Sequence, residues 1–164
     1  METVYFCLGA NKANREECIL KALELLNKTE GIKITQRSNM YETEPWGNKE
    51  QDFFLNLVCK GEVILGAHDL LKACQEIEKQ LGRRREKEVR WGAREIDIDI
   101  LFYGDKIINQ PDLCIPHKLL HQRAFVLKPL EEIAPEFVHP VLHKTIAKLY
   151  NELESSEKVV LYGD

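Results

Sequence analysis

Two aspartates in the middle of the chain have the spacing that most clearly suggests chemistry. Asp97 and Asp99 alternate with isoleucines at positions 96, 98 and 100, a pattern typical of a β-strand with one apolar face. On such a strand the two carboxylates point the same way, roughly 7 Å apart. Like charges so placed favour a cation between them, and Mg²⁺ is commonly held by carboxylates together with substrate phosphates. An ordinary solvated strand face is the alternative that this pair alone leaves open.

A basic segment lies directly before this predicted strand and also contains Trp91 and Gly92, an aromatic anchor beside a backbone pivot. Arginines near Mg²⁺-binding carboxylates suit a polyphosphate, because each guanidinium donates two hydrogen bonds at once. Neither a G-x-x-x-x-G-K-[ST] nor a G-x-G-x-x-G pattern is present, so neither a P-loop nor a Rossmann nucleotide site is predicted. The basic residues are Arg83, Arg84, Arg85, Lys87, Arg90 and Arg94.

Hydrophobic periodicity predicts the elements that must position these side chains. In chain order they are a strand over 4–8, a helix ending before 27–31, strands over 32–41 and 53–65, a helix between Gly66 and Gly82, and a strand over 95–103. This β-α-β-β-α-β order predicts a ferredoxin-like α+β sandwich rather than a doubly wound sheet, since two consecutive strands lack a helix between them. Additional C-terminal elements follow, among them a short strand at 107–108 and a helix over 144–153.

Composition bounds the class of protein. The 164 residues carry 23 Lys and Arg against 27 Asp and Glu, a net charge of −4, which argues against a surface built to coat nucleic acid or anionic lipid. One domain spanning 1–164 is expected. The five widely spaced cysteines predict free thiols in a reducing compartment. No apolar run approaches the roughly 20 residues of a membrane span, and the first residues do not resemble a signal peptide. We therefore expect a cytoplasmic protein, and nothing in the chain demands a partner subunit.

The ordered motifs of the chain resemble one known family. They are Leu8–Asn11, Tyr41–Gly47, Phe54–Asn56, Gly82–Ile100 (which reads G-R-x-R…R-W-G-x-R-x-I-D-I-D-I), Ile115–His117, Arg123–Leu127, Pro129–Leu130 and Ile133–Pro135. Together they resemble the signature of the 6-hydroxymethyl-7,8-dihydropterin pyrophosphokinases, over nearly the whole chain and in the family's order. The resemblance implies transfer of pyrophosphate from ATP to the hydroxymethyl group of the reduced pterin, with release of AMP, in folate biosynthesis.

The resemblance also implies roles for individual residues. Asp97 and Asp99 would ligate two Mg²⁺ ions, and Arg83 and Arg94 would act with them as catalytic residues. Residues matching the family's ATP site are Gln75, Glu78, Arg85, Trp91, Ile100 through its backbone, His117, Lys118 and Arg123. Residues matching its pterin site are Thr43, Pro45, Trp46, Phe54, Asn56 and Phe125. Phe54 and Phe125 would sandwich the flat ring, and Asn56 offers both a donor and an acceptor to the pterin edge.

A binding module is the alternative function from another class. Ferredoxin-like sandwiches also bind RNA, with exposed aromatic residues for base stacking and basic loops for phosphates. The net negative charge and the two central carboxylates argue against it, and no RNP1-like run is present. No residue stands out as a general base for the substrate hydroxyl, and the sequence leaves that role open.

Overall fold

The computed structural model describes residues 1–12, 14–44, 53–82, 96–155 and 157–163. Arg83, Arg85, Trp91, Arg94, Pro45 and Trp46 lie outside these ranges, so their predicted roles stay predictions. The elements are β1 (Glu2–Ala10), α1 (Arg15–Lys28), β2 (Ile32–Arg37), β3 (Tyr41–Thr43), β4 (Phe54–Val63), α2 (Ala67–Gln80), β5 (Asp97–Tyr103), β6 (Ile108–Gln110), β7 (Leu113–Ile115), α3 (Ala124–Ile133), α4 (Ile146–Glu152) and β8 (Val159–Leu161).

The main sheet of the described chain has six strands, all paired antiparallel. Its order is β5-β1-β4-β3-β8, and β2 pairs with β4 alongside β3. The two longest strands, β1 and β4, occupy its centre, and the aspartate-bearing strand β5 lies at an edge. The fold is therefore a mixed α and β structure built on an antiparallel sheet with four helices.

Each face of the sheet carries its own hydrophobic core. On one face, apolar side chains of α1 and α2 such as Ile19 and Leu70 pack against Phe6, Leu8 and Leu57. This is the burial expected from the helical spacing of apolar residues in α1 and α2. All five cysteines are free thiols, and four of them are buried, as the sequence predicts.

The second core lies on the opposite face, beneath α3 and α4. Cys7 and Val58 of the sheet pack there with Val126 and Leu127 of α3 and Ile146 of α4. The C-terminal elements therefore form a third layer and are part of the main body of the fold. We refer to this side of the sheet as the α3 face and to the other side as the α1 face.

The strand predicted over 32–41 is broken into β2 and β3. At the break the buried Ser38 takes over part of the ladder, because its N–H donates to Val58 O (2.8 Å) and its Oγ accepts from Val58 N (3.0 Å). Both strands still pair with β4. As a result, β2 lies beside α1, whereas β3 lies beside the predicted pterin residues.

Three C-terminal elements, α3, β7 and β8, were not predicted from the sequence. Helix α3 contains Pro129, whose type more often ends a helix because it lacks an N–H and clashes with the preceding turn. Strand β8 has three residues and, among the described strands, pairs with β3 alone. The short strand expected at 107–108 is β6, which pairs with β7 in a separate two-stranded sheet. Within the described ranges, no helix is both long and apolar enough to cross a bilayer.

Candidate active site

Asp97 and Asp99 begin β5 and point to the α3 face, while Ile98 and Ile100 between and after them are buried in the core of the α1 face. Asp97 lies opposite Gly9 and Asp99 opposite Cys7 on β1. Both aspartates are only partly exposed. The alternation read from the sequence is therefore the alternation in the strand.

A β-bulge ends the carboxylate-bearing part of the strand. Tyr5 and Phe6 are consecutive on β1 but pair with Phe102 and Ile100, so Leu101 is an extra residue on β5. Leu101 and Phe102 consequently both pack into the core of the α3 face. The bulge thus interrupts the in–out alternation of β5 after the two aspartates. The α3 face of β5 is polar at Asp97 and Asp99 and apolar at Leu101 and Phe102.

The free edge of β5 is held by a buried carboxylate. Glu78 of α2 is 1 % exposed, and its Oε2 accepts a hydrogen bond from the Ile98 N–H at 2.8 Å. Ile98 stands between the two aspartates, so Glu78 fixes the backbone that presents them. Gln75, one turn earlier on α2, is exposed. Contact of either side chain with a nucleotide stays a prediction.

His117 approaches the second aspartate from the segment after β7. Its Nε2 lies 3.9 Å from Asp99 Oδ2, and its backbone N–H donates to Leu101 O at 3.0 Å. Burial lowers the pKa of the imidazole and the nearby Arg123 charge lowers it further, against an opposing effect of Asp97. Its Nδ1 is buried without a hydrogen-bond partner among the described residues. Lys118 next to it is exposed.

The predicted pterin residues of the sheet share the α3 face with the aspartates. Asn56 on β4 lies opposite Gly9, which lies opposite Asp97, and directly opposed residues of neighbouring strands point to the same face. Phe54 is two residues before Asn56 and therefore on that face as well. Thr43 lies opposite Phe54. The ladder thus places Asp97, Asn56, Phe54 and Thr43 on one continuous surface.

Gly9 also belongs to this row, although no role at the site was predicted for it from the sequence. A Cβ at this position would lie 2.3 Å from Oδ1 of Asn56, which is far inside any ordinary contact. Glycine is therefore required for the Asn56 amide to lie over β1. The Leu8–Asn11 motif was a signal for this residue, but the reason for the glycine becomes visible only from the pairing.

Thr43 and Asn56 have polar side chains that are almost completely buried. Thr43 is 2 % exposed, and its Oγ1 has no hydrogen-bond partner within the described part of the chain. Asn56 is 4 % exposed. Buried polar groups are normally satisfied. The unsatisfied Thr43 hydroxyl and the Asn56 amide, whose Oδ1 accepts a hydrogen bond from the Cys7 thiol at 4.0 Å, are the polar groups that a ligand edge would meet on this face.

Helix α3 supplies the opposite wall. Phe125, in its first turn, is half-buried, and the Arg123 guanidinium lies 5.5 Å from the centre of the Phe125 ring. The N–H of Ala124 donates to Glu157 Oε1 at 2.9 Å. Farther along α3, Glu132 accepts from the Tyr41 hydroxyl at 2.6 Å. The helix is thus bonded to β3 through Glu132 and Tyr41, and to the segment before β8 through Ala124 and Glu157.

The amino-acid sequence matches a known protein family. A family model described as 7,8-dihydro-6-hydroxymethylpterin-pyrophosphokinase (HPPK) matches residues 5–135. A relative named 2-amino-4-hydroxy-6-hydroxymethyldihydropteridine pyrophosphokinase from Methylorubrum extorquens is 42 % identical over 151 residues, which is 91 % of this chain and 94 % of the relative. A relative of the same name from Aquifex aeolicus is 41 % identical over 152 residues, 93 % of this chain and 92 % of the relative.

Longer proteins also contain a similar segment. The folic acid synthesis protein fol1 of Pneumocystis carinii is 45 % identical over 152 residues, but the chain, of which 93 % is matched, covers only 20 % of that relative's length. Among solved structures, Plasmodium falciparum HPPK-DHPS with pteroate matches 92 % of this chain and 42 % of its own, with a TM-score of 0.72 and 18 % identity. That likeness supports the fold. On the family match and the two bacterial relatives, this chain belongs to the 7,8-dihydro-6-hydroxymethylpterin-pyrophosphokinase family.

Proposed function

We propose that this protein transfers pyrophosphate from ATP to the hydroxymethyl group of 6-hydroxymethyl-7,8-dihydropterin, releasing AMP, as a step of folate biosynthesis. The observation that carries the proposal is the common surface of the sheet: Asp97 and Asp99 share the α3 face with Asn56 and Phe54. Groups suited to a phosphate–metal complex therefore lie beside groups suited to a flat heterocycle.

Mg²⁺ fits the two aspartates. Their carboxylates offer oxygen atoms on one face of a strand whose backbone is bonded to Glu78. Within the described ranges, no group of three or more His, Cys, Asp or Glu side chains is arranged to hold a metal. Two carboxylates whose remaining ligands come from water and substrate phosphates are the usual arrangement for Mg²⁺. Asp97 and Asp99 would hold two such ions, which when bound supply positive charge to the phosphates.

The nucleotide side of the site follows from the residues near Asp99. Burial and the nearby Arg123 charge lower the pKa of His117, which favours the neutral imidazole, and a neutral imidazole can donate one hydrogen bond without adding charge beside the aspartates. Arg123 would contact phosphate oxygens, and Arg83 and Arg94 would stabilise charge on the transferring group. The proposed ATP site further comprises Gln75, Glu78, Arg85, Trp91, the backbone of Ile100 and Lys118.

The pterin side uses the sheet and α3. Phe54 and Phe125 would stack on the two faces of the ring, an arrangement worth about 0.5–1.5 kcal/mol per aromatic pair beyond burial. Asn56 would bind the polar edge, and Thr43, Pro45 and Trp46 would contribute from their strand and loop.

In the reaction the pterin hydroxyl oxygen bonds to the β-phosphorus, the bond from that phosphorus to the α–β bridging oxygen breaks, and the hydroxyl proton is lost.

We further propose that the sheet and its helices form a ferredoxin-like core, and that the protein acts as a monomer in the cytoplasm. The order β5-β1-β4-β2 and the antiparallel pairing support a ferredoxin-like core, to which β8, α3 and α4 are added. We propose a monomer that acts in the cytoplasm, binding neither nucleic acid nor membrane, in line with the balanced net charge of −4.

Formation of AMP tests the proposal. The protein is incubated with ATP, Mg²⁺ and the reduced hydroxymethylpterin, and AMP and the pterin diphosphate are quantified. We expect both products in equal amounts, and a loss of at least 100-fold in rate for Asp97→Ala and for Asp99→Ala with unchanged melting temperature. Lys28→Ala, on an exposed surface pair with Glu24, is the control. Absence of AMP, together with RNA binding that weakens steeply with salt, would favour the binding module instead.

A further inference from the structure

The side chain of Arg15 connects two strands behind the predicted pterin site. Arg15 is the first residue of α1, on the α1 face of the sheet. Its Nη1 donates to Phe53 O at 2.5 Å, and its Nη2 forms a short ion pair with the Glu42 carboxylate. Glu42 precedes Thr43, and Phe53 precedes Phe54. One guanidinium therefore binds Glu42 of β3 and the residue directly before β4, at the loop end of the β3–β4 hairpin.

These contacts lie immediately behind the predicted pterin residues. Thr43 and Phe54 form the last pair of the β3–β4 ladder and point to the α3 face, whereas Glu42 points to the α1 face toward Arg15. Strand β3 has only three residues, and its ladders with β4 and with β8 both end at Thr43. The position of Thr43 and Phe54 consequently depends on the groups that hold their neighbours.

The C-terminal segment completes the arrangement. Strand β8 pairs with β3, placing Val160 opposite Glu42. The Tyr162 N–H donates to Met40 O at 2.9 Å, and the Tyr162 ring lies 5.2 Å from the Arg15 guanidinium carbon. Contact with an aromatic face restricts the guanidinium. It leaves Nη1 to donate to the Phe53 carbonyl and Nη2 to pair with the Glu42 carboxylate. Arg15 is thus a planar donor held on three sides.

We propose that Arg15 is a positioning residue for the pterin site, acting through Glu42 and Phe53 from the opposite face of the sheet. The inference rests on the proposed function, because it concerns the pterin side of that site. Lysine cannot replace it fully, since one ammonium lacks the planar fork that reaches two acceptors and stacks on Tyr162. The nucleotide side lies two strands away at β5, where Glu78 and β1 set the geometry, so Arg15 does not control it.

Separate binding measurements test this inference. Affinity for the reduced pterin is measured at saturating Mg²⁺ and a non-hydrolysable ATP analogue, and affinity for the analogue is measured alone. For Arg15→Ala we expect pterin affinity to fall at least tenfold and analogue affinity to change less than twofold. Arg15→Lys should lie between Arg15→Ala and the unmodified protein. Lys28→Ala, on the same helix but at its far end, should change neither affinity.

The turnover measurement adds a second readout. Arg15→Ala should raise the KM for the pterin with a smaller change in the KM for ATP, a split that a general loss of folded protein cannot produce. Unchanged pterin affinity, or equal loss of both affinities, would overturn the inference. Should Arg15→Ala not fold, Arg15→Lys decides in the same way. If the unmodified protein itself binds no pterin, the proposed function fails, whereas normal binding that is indifferent to Arg15 refutes only this inference.

Discussion

The contact between Gly9 and Asn56 allows a sharp test of the pterin site. In Gly9→Ala the added Cβ would lie 2.3 Å from Asn56 Oδ1, so the amide must move by about 1 Å to reach an ordinary contact. The backbone of Asn56 is fixed by pairing on both sides, to Gly9 and to Tyr41. The side chain must therefore give way, and the hydrogen bonds that we propose it makes to the pterin edge would be misplaced.

The size of the effect follows from the burial of Asn56, which is 4 % exposed. A buried polar group that loses its partner costs about 1–3 kcal/mol, which corresponds to roughly a 5- to 150-fold weaker affinity. We therefore expect Gly9→Ala to weaken pterin binding within this range. Affinity for an ATP analogue should change less than affinity for the pterin, because the three atoms nearest to the added Cβ belong to Asn56 and Leu55 of β4.

A double-mutant cycle isolates this contact. Pterin and ATP-analogue affinities are measured by titration calorimetry for Gly9→Ala, Asn56→Ala and the double variant. In Asn56→Ala the clashing amide is gone, so Gly9→Ala should then have almost no further effect. Gly66→Ala serves as the glycine control, since its Cβ would meet nothing within 4 Å. Unchanged pterin affinity in Gly9→Ala, or full additivity with Asn56→Ala, would refute the reasoning.

Two further predictions concern α3 and the C-terminal core. Phe125→Ala should weaken pterin binding by more than tenfold and nucleotide binding by less than threefold, because we propose that the ring stacks on the pterin; equal weakening of both would contradict the stacking role. His139 accepts hydrogen bonds from the Val141 and Leu142 N–H groups through Nδ1, and burial, together with nearby His121 and His143, lowers its pKa to about 4. Its stabilising effect is therefore complete above about pH 6.5 and is lost as the pH falls toward 4. Denaturant unfolding of His139→Asn, which keeps an acceptor that does not titrate, should show a smaller decline over this range than the unmodified protein; parallel declines would show that His139 does not contribute.

Local patterns of the sequence predicted most of the elements correctly. The alternation from 96 to 100 and the helical spacing before Gly82 depend on neighbours within four residues, and both elements form as expected. Helix α3 was missed because Pro129 masks its periodicity, and its packing on the sheet compensates for the hydrogen bond that proline cannot donate. The break between β2 and β3 was missed because it depends on Ser38 bonding to Val58, twenty residues away.

For the candidate site, the sequence by itself determined the residue types and, through its ordered motifs, the family. It also placed both aspartates on one face of a strand, since that follows from backbone geometry alone. Only the tertiary structure decided which residues lie behind them: Glu78 on the backbone of β5, Gly9 beneath Asn56 and Arg15 across the β3–β4 hairpin. These contacts join residues 20 to 47 positions apart in the chain. Their partners are set by strand order and register, which no local pattern encodes.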